Sequence, residues 1–287
     1  MKIVIIGADG QLGYDLCRVI PKDEQIPLTI NDIDITNKEQ TISLIKKLSP
    51  EIVINTAAYH KVDDCETNEL LAFKVNELGA SNVAQACQAV EACMVHFSTD
   101  YVFDGTKNEP YLEGDCPNPL SVYGTSKLNG ENLVRIFAGK HFIVRSTGLY
   151  GVAGCLGKGG GNFVETMLKM SEKGTELKVI DDEIVSPTYT LHLARVVNQL
   201  IRTDKYGIYH MVNHGQCSWY AFAAEIFKLL GKKVKLTPIS SKEYYAKAKR
   251  PAYSVLKNAN LAKIGLDQMP TWQIALKEYL IEKKYLN

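Results

Sequence analysis

The sequence predicts an α/β fold built on a doubly wound parallel sheet, with a smaller C-terminal lobe. Three observations carry that prediction. Over residues 1–150, short β-rich apolar runs alternate with longer helical patterns. The runs are apolar on both faces, as strands must be when helices cover both sides of a sheet. The first run passes straight into a glycine turn and then a helix, the opening of a Rossmann-like unit.

The elements follow in order. "KIVIIG" (2–7) reads as a strand and "QLGYDLCRVI" (11–20) as a helix, its apolar residues three and four apart. "IPLTI" (26–30) is the second strand. "NKEQTISLIKKLS" (37–49) is an amphipathic helix that stops before Pro50, because a residue preceding proline is pushed out of the helical region. "EIVINTA" (51–57) is the third strand, and 68–90 a long helix. "CMVHFST" (93–99) is the fourth strand, 123–138 another helix, and "HFIVRST" (141–147) the fifth strand. Right-handed crossovers between such strands distribute the helices over both faces. "IYHMVN" (208–213) is one more buried strand that joins the same sheet. The pattern weakens after residue 150, where "YGVAGCLGKGGGN" reads as a mobile glycine-rich loop; "SWYAFAAEIFKLLG" and "TWQIALKEYLIEKK" are helices of the smaller lobe.

At 287 residues, 46% hydrophobic and 23% charged, the chain has an ordinary globular composition with room for a large domain and a smaller lobe. Lys plus Arg exceed Asp plus Glu by one (33 against 32), so no overall field draws nucleic acid or anionic membrane. No apolar run approaches the ~18 residues of a membrane span, and no positively flanked leader precedes the first strand. Seven cysteines show no C-x-x-C pair and no His/Cys ligand spacing. They read as reduced thiols in a cytoplasmic protein without a metal site. A homodimer is compatible with the chain.

The glycine turn is Gly7-x-x-Gly10-x-x-Gly13. Gly7 permits the tight turn, Gly10 lets a pyrophosphate approach the backbone, and Gly13 lets the helix pack against the strand. The N–H groups around Gln11 and Leu12 then lie at the positive end of the helix dipole, where phosphate binds. This assigns residues 1–150 to a dinucleotide-binding domain and 151–287 mainly to a substrate-binding lobe. A second glycine series, Gly154, Gly157 and Gly160, follows no strand and reads as loop. An acidic residue usually ends the second strand and bonds the adenosine ribose. Here Thr29 holds that place, with Asp32 and Asp34 just beyond and no arginine beside it. NADPH and NADH both remain admissible.

Tyr-x-x-x-Lys occurs at Tyr123/Lys127, Tyr245/Lys249, Tyr253/Lys257 and Tyr279/Lys283, so the spacing says little by itself. Only Tyr123 and Lys127 open a helix between two strands of the sheet, where catalytic groups gather beyond the strand ends. At i and i+4 the two side chains share a helix face. Tyrosinate at neutral pH is unfavourable by roughly 4 kcal/mol from a pKa near 10. A positive charge ~4 Å away at an effective dielectric of ~20 offsets about that much. Such a phenol gives its proton to a carbonyl oxygen in reduction and takes one back in oxidation. Ser98, Thr99 and Asp100, ending the preceding strand, reach the same place.

Together these residues resemble the extended short-chain dehydrogenase/reductase superfamily, and within it the family of dTDP-4-dehydrorhamnose reductases. The likeness runs in order through "GADGQLG", "IDIT" (33–36), "VINTAAYHKVDDCE" (53–66), "FSTDYVFDG" (97–105), "VYGTSKLNGE" (122–131), "LYG" (149–151), "GNFVETML" (161–168), "SPTYT" (186–190), "CSWYAFAAEIF" (217–227) and "RPAYSVL" (250–256). It implies NAD(P)H-dependent reduction of the C4 ketone of a nucleotide-diphospho-4-keto-6-deoxysugar. It also implies that Thr99 bonds the C4 oxygen, Tyr123 donates the proton, and Lys127 holds the nicotinamide ribose. Gly7, Gly10, Gln11 and Leu12 would take the pyrophosphate, Asp34 and Ile35 bracket the adenine, and Ala57, Ala58 and Tyr59 pass beneath the coenzyme. Asp100, Asn162 and Arg250 would meet the sugar nucleotide, Arg250 because guanidinium pairs well with phosphate. The chain departs from the family at Gly148, where tryptophan usually precedes "LYG". A different sugar, an epimerase, or a coenzyme-binding regulatory protein therefore stay open.

The remaining polar clusters have plainer readings. Asp63, Asp64 and Glu66 read as an acidic helix start rather than a metal site. His60, His96, His192, His210 and His214 show no ligand spacing, and Trp219 and Trp272 read as anchors of the smaller lobe's core.

Overall fold

The computed structural model describes residues 1–154 and 159–286. The glycine series predicted as a loop lies partly outside these residues, with Gly157 among those not described. In chain order the strands are β1 (Ile3–Ile6), β2 (Gln25–Leu28), β3 (Ile52–Asn55), β4 (Cys93–Thr99), β5 (His141–Ser146), β6 (Leu149–Tyr150), β7 (Leu177–Ile180), β8 (Ile184–Val185), β9 (Thr188–Tyr189), β10 (Gly207–His210), β11 (Cys217–Ser218) and β12 (Leu236–Ile239). The helices are α1 (Gln11–Val19), α2 (Lys38–Leu48), α3 (Val62–Cys65), α4 (Glu69–Phe73), α5 (Ala80–Gln88), α6 (Val122–Phe137), α7 (Phe163–Ser171), α8 (Thr190–Leu200), α9 (Trp219–Leu229), α10 (Ala259–Lys263) and α11 (Trp272–Glu282).

One six-stranded sheet has the order β10-β5-β4-β3-β1-β2, every neighbouring pair parallel. Its two faces are apolar for different partners. Ile3, Ile5, Ile54, Val95 and Val144 pack against Leu12 and Leu16 of α1 and Leu193 and Val197 of α8. Val4, Ile6, Val53, Met94 and Ile143 pack against Val83, Ala84 and Cys87 of α5 and Val134 of α6. Pieces of the sheet unit thus come from beyond residue 150: β10 extends its edge, α8 covers apolar side chains beside those under α1, and Leu261 of α10 and Met269 join the same core. The rest of the C-terminal half has its own core, in which Tyr150, Tyr189, Phe222, Trp272 and Tyr279 interlock.

Local chemistry sets the helix ends. The Asn37 side chain accepts from Gln40 N at the start of α2, and Ser49 closes that helix in the left-handed conformation, φ 44°, one residue before Pro50. Ser121 caps α6 by accepting from Gly124 N at 3.1 Å. The long helix expected over 68–90 is instead α4 and α5 joined by a π-helical turn, Lys74–Gly79. Such turns insert one residue into a helix and are frequent at functional sites. No described helix is long and apolar enough to cross a membrane.

Candidate active site

The glycine turn sits where β1 ends. Gly7 has φ 80°, and a Cβ there would stand 2.5 Å from Thr56 Oγ1 and 3.3 Å from Ala57 N, so the turn and the loop after β3 lie against one another. A Cβ at Gly13 would fall 2.0 Å from Gly7 O, which lets only glycine bring α1 this close to its strand. The N-cap is Gly10, without a side-chain acceptor, and no acidic residue stands in the first turn of α1. The positive end of the helix is left for an outside anion. Gln11 donates to Leu149 O at 3.1 Å, while its buried Oε1 has no partner among the described residues. These features suit a dinucleotide pyrophosphate.

Beyond the turn, Thr29 ends in company the sequence did not reveal. The Asp32 carboxylate folds back to accept from Thr29 N at 2.8 Å and from Thr29 Oγ1 at 2.9 Å, bonds that hold its carboxyl below the usual range. A carboxylate thus reaches the end of β2 from three residues downstream. Asp34 is exposed and closes its own turn by accepting from Thr36 N, whereas Ile35 is buried against α5. A Cβ at Gly79 would meet the Ile35 side chain at 2.7 Å.

The path from this turn to Tyr123 is continuous. Residues 57–59 follow β3, and the Asn76 side chain clamps Tyr59, accepting from its N at 2.8 Å and donating to its O at 2.9 Å. The same amide donates to Ser126 Oγ at 3.0 Å, and Ser126 Oγ donates to Tyr123 O at 2.9 Å. Asn76 lies in the π-helical turn, and its reach to both sides explains why the helix is interrupted there. The composition of the run 68–90 gives no sign of the inserted residue, so sequence reasoning missed this clamp. The Tyr123 ring meets Tyr101 edge-on at 5.6 Å between centroids.

One turn along α6, Lys127 is buried and donates to Phe97 O at 2.6 Å. Burial lowers its amine to about 8, opposed by the Glu131 carboxylate. Glu131 in turn holds Arg145 of β5 in a bidentate pair, 2.9 and 2.6 Å, fastening α6 to the sheet. His96 beside it is wholly buried; burial, then the Lys127 charge, keep its imidazole neutral.

At the end of β4, Thr99 Oγ1 donates to Asp100 Oδ1 at 2.9 Å and accepts from Tyr101 N at 3.2 Å. Asp100 is buried, which raises its carboxyl, while bonds from Ser254, Thr147 and Thr99 oppose the rise. Thr99, Tyr123, Lys127 and Asp100 therefore share one end of the sheet with the glycine turn. The other Tyr-x-x-x-Lys pairs do not. Tyr245 is 95% exposed, Tyr253 donates to Gln216, and Tyr279 is buried with its hydroxyl on Glu165.

The C-terminal residues occupy two places. Arg250 pairs with Asp63 at 2.9 Å, donates to Ala248 O and feels the charge of Glu183. Asn162 is buried at the N-cap of α7; its side chain accepts from Glu165 N and donates to Gly151 O and to Tyr279 Oη. That amide is engaged inside the lobe. Of the acidic cluster, Asp63 holds Arg250 and Ala248 N, and Glu66 accepts from Val122 N at the start of α6. Position 148 faces the other lobe: Trp219 Cη2 lies 3.6 Å, ordinary contact distance, from where a Gly148 Cβ would stand.

The family model described as "RmlD substrate binding domain" matches residues 1–285. The chain is similar to a spore coat polysaccharide biosynthesis protein of Bacillus subtilis, 40% identical with 98% of each chain covered. It is similar to dTDP-4-dehydrorhamnose reductase of Aggregatibacter actinomycetemcomitans, 37% identical over 96% of this chain and 97% of the relative. Among solved structures it resembles a dTDP-4-dehydrorhamnose reductase of Clostridium acetobutylicum, 44% identical, TM-score 0.94, covering 99% and 100% of the two chains. It also resembles the Bacillus anthracis enzyme in complex with NADP, 42% identical, TM-score 0.94, covering 98% and 100%.

Proposed function

The chain belongs to the RmlD substrate binding domain family, and from that premise we propose that it reduces dTDP-4-dehydro-L-rhamnose to dTDP-L-rhamnose with NADPH or NADH. The observation that carries the reading is the hydrogen-bonded path from Tyr123 through Ser126, Asn76 and Tyr59 to the loop against the glycine turn. That path supports a reading in which an acid–base phenol and a dinucleotide site share one end of one sheet.

The coenzyme, when bound, supplies the hydride. Gly7, Gly10, Gln11 and Leu12 hold its pyrophosphate, Gly13 keeps α1 in place to do so, and residues 57–59 line its path toward Tyr123. Thr29 with Asp32, and Asp34 with Ile35, flank the adenosine end. Tyr123 delivers its proton to the C4 oxygen of the sugar as that oxygen gains charge. The buried Lys127 ammonium stabilises the phenolate left behind, and burial strengthens that attraction. Thr99 bonds the same C4 oxygen once its hydroxyl hydrogen swings off Asp100, whose carboxylate keeps the threonine in place. Arg250 shifts from Asp63 toward the diphosphate. Asn162 is a positioning residue of α7. The cytoplasm, where thiols stay reduced, suits the free cysteines among the described residues.

The test is incubation of the purified protein with dTDP-4-dehydro-L-rhamnose and NADPH or NADH, with the product identified by NMR. Coenzyme oxidation with formation of dTDP-L-rhamnose is expected. No oxidation with either coenzyme, or a product epimeric at C4, would refute the assignment.

A further inference from the structure

We propose that Trp219 forms the aromatic wall of the sugar subsite from the smaller lobe, with Glu183 as the residue that positions its indole. The inference rests on the function proposed above and adds a specificity-determining residue to it.

Two independent routes bring Trp219 to the reacting groups. The first runs through Gly148. Its predecessor Thr147 donates to Asp100 Oδ2 at 2.8 Å, and Asp100 accepts from Thr99. The distal edge of the Trp219 ring, at Cη2, stands 3.6 Å from the missing Cβ of that glycine. The second runs through Glu183. The indole N–H donates to this buried carboxylate, which also feels the charge of Arg250, the residue proposed above to meet the diphosphate. The ring is therefore held between the Thr147–Asp100 side and the Arg250 side of the site.

The fixing is specific. Ser218 caps α9 by accepting from Ala221 N, and Phe163 lies against the indole at 4.7 Å between centroids. Glu183 is 7% exposed, whereas Trp219 itself is only partly buried. A half-covered aromatic ring held by a buried acceptor presents an apolar face and no competing polar atom. A 6-deoxyhexose offers a matching face of C–H groups and a methyl. Gly148 completes the arrangement: its φ is 56°, a conformation side chains rarely adopt, and a Cβ would also press on Pro187 Cα at 3.2 Å.

The experiment uses tryptophan emission of the whole protein with dTDP-L-rhamnose and with dTDP as probes, binding being followed in parallel by calorimetry. Trp219 and Trp272 are the two tryptophans. dTDP-L-rhamnose is expected to change the emission and dTDP is not, because only the former carries the sugar. The change should vanish in Trp219→Phe and persist in Trp272→Phe, and either variant decides the matter if the other does not fold. Trp219→Ala should raise KM for the ketosugar about ten-fold, the scale of one aromatic contact, with kcat within a few-fold. A change that survives Trp219→Phe, or an unaltered KM in Trp219→Ala, would overturn the assignment. A wild-type protein that turns over the ketosugar while its emission ignores dTDP-L-rhamnose overturns Trp219 alone. A wild-type protein that neither binds nor turns over a dTDP-sugar overturns the proposed function beneath it.

Discussion

Lys127→Met separates what a buried ammonium costs the fold from what it does in the site. Burial brings the amine from 10.5 to about 8, with Glu131 opposing. The difference (10.5 − 8, about 2.5) means that the folded protein disfavours the charged amine by roughly 3 kcal/mol near pH 7. Methionine fills a similar volume without charge but leaves Phe97 O without its donor, which costs ~1–3 kcal/mol. The two effects nearly cancel near neutrality, so a single stability measurement does not discriminate. The pH dependence does. Because the folded-state value lies below the unfolded one, the penalty is complete below about pH 8, and it is relieved as pH rises toward 10.5. Between pH ~7 and ~9.5 the wild type should gain about 2 kcal/mol on the variant by this linkage. Buried thiols such as Cys93, pushed up to about 12 by burial, titrate alike in both proteins and drop out of the difference. Urea unfolding at the two pH values reads it directly. Parallel pH dependences would refute the reasoning, because the amine would then not be desolvated. Turnover of Lys127→Met should fall by orders of magnitude in either case.

Tyr123→Phe should lower turnover by ~10²-fold or more while coenzyme affinity holds; calorimetry and initial rates check both, and unchanged turnover removes the phenol from the chemistry. Gly13→Ala sets a methyl 2.0 Å from Gly7 O, so α1 must move off β1. A loss of about 1–3 kcal/mol and much weaker coenzyme binding are expected, and wild-type stability in urea would contradict the packing. Glu131→Gln strips the buried Arg145 of its anionic partner at a cost of ~3–5 kcal/mol, seen as an earlier thermal midpoint. A midpoint matching wild type would show that the pair is not what fastens α6.

Sheet and glycine turn were legible because each depends on short, repeated local signals. β1 to β5 are runs apolar on both faces, and the turn needs glycine at Gly7 and Gly13 for reasons of space. The distant strand β10 was legible for the same reason, as a run too apolar for a surface. The role of α8 was not, because its amphipathic face looks the same whether it covers the sheet or the lobe. Tyr123 stood out from three other Tyr-x-x-x-Lys pairs by its position between strands; in the structure Tyr245 is exposed, Tyr253 donates to Gln216 and Tyr279 donates to Glu165. What escaped the sequence is contact across long separations. Asn76 reaching Ser126 and Trp219 standing against Gly148 leave no periodicity to read, and neither does the local fold of Asp32 onto Thr29 three residues back. Asn162, a matched motif position, caps α7 with its side chain.

The account stands on hydride reaching the sugar carbon while Tyr123 supplies the proton to its oxygen. The most direct measurement is the reaction run with coenzyme deuterated at the transferable position of the nicotinamide, followed by NMR of the dTDP-sugar product. One deuterium on C4, in a single configuration, is the predicted result. Deuterium absent from C4, or entering it from deuterated water instead, would contradict it.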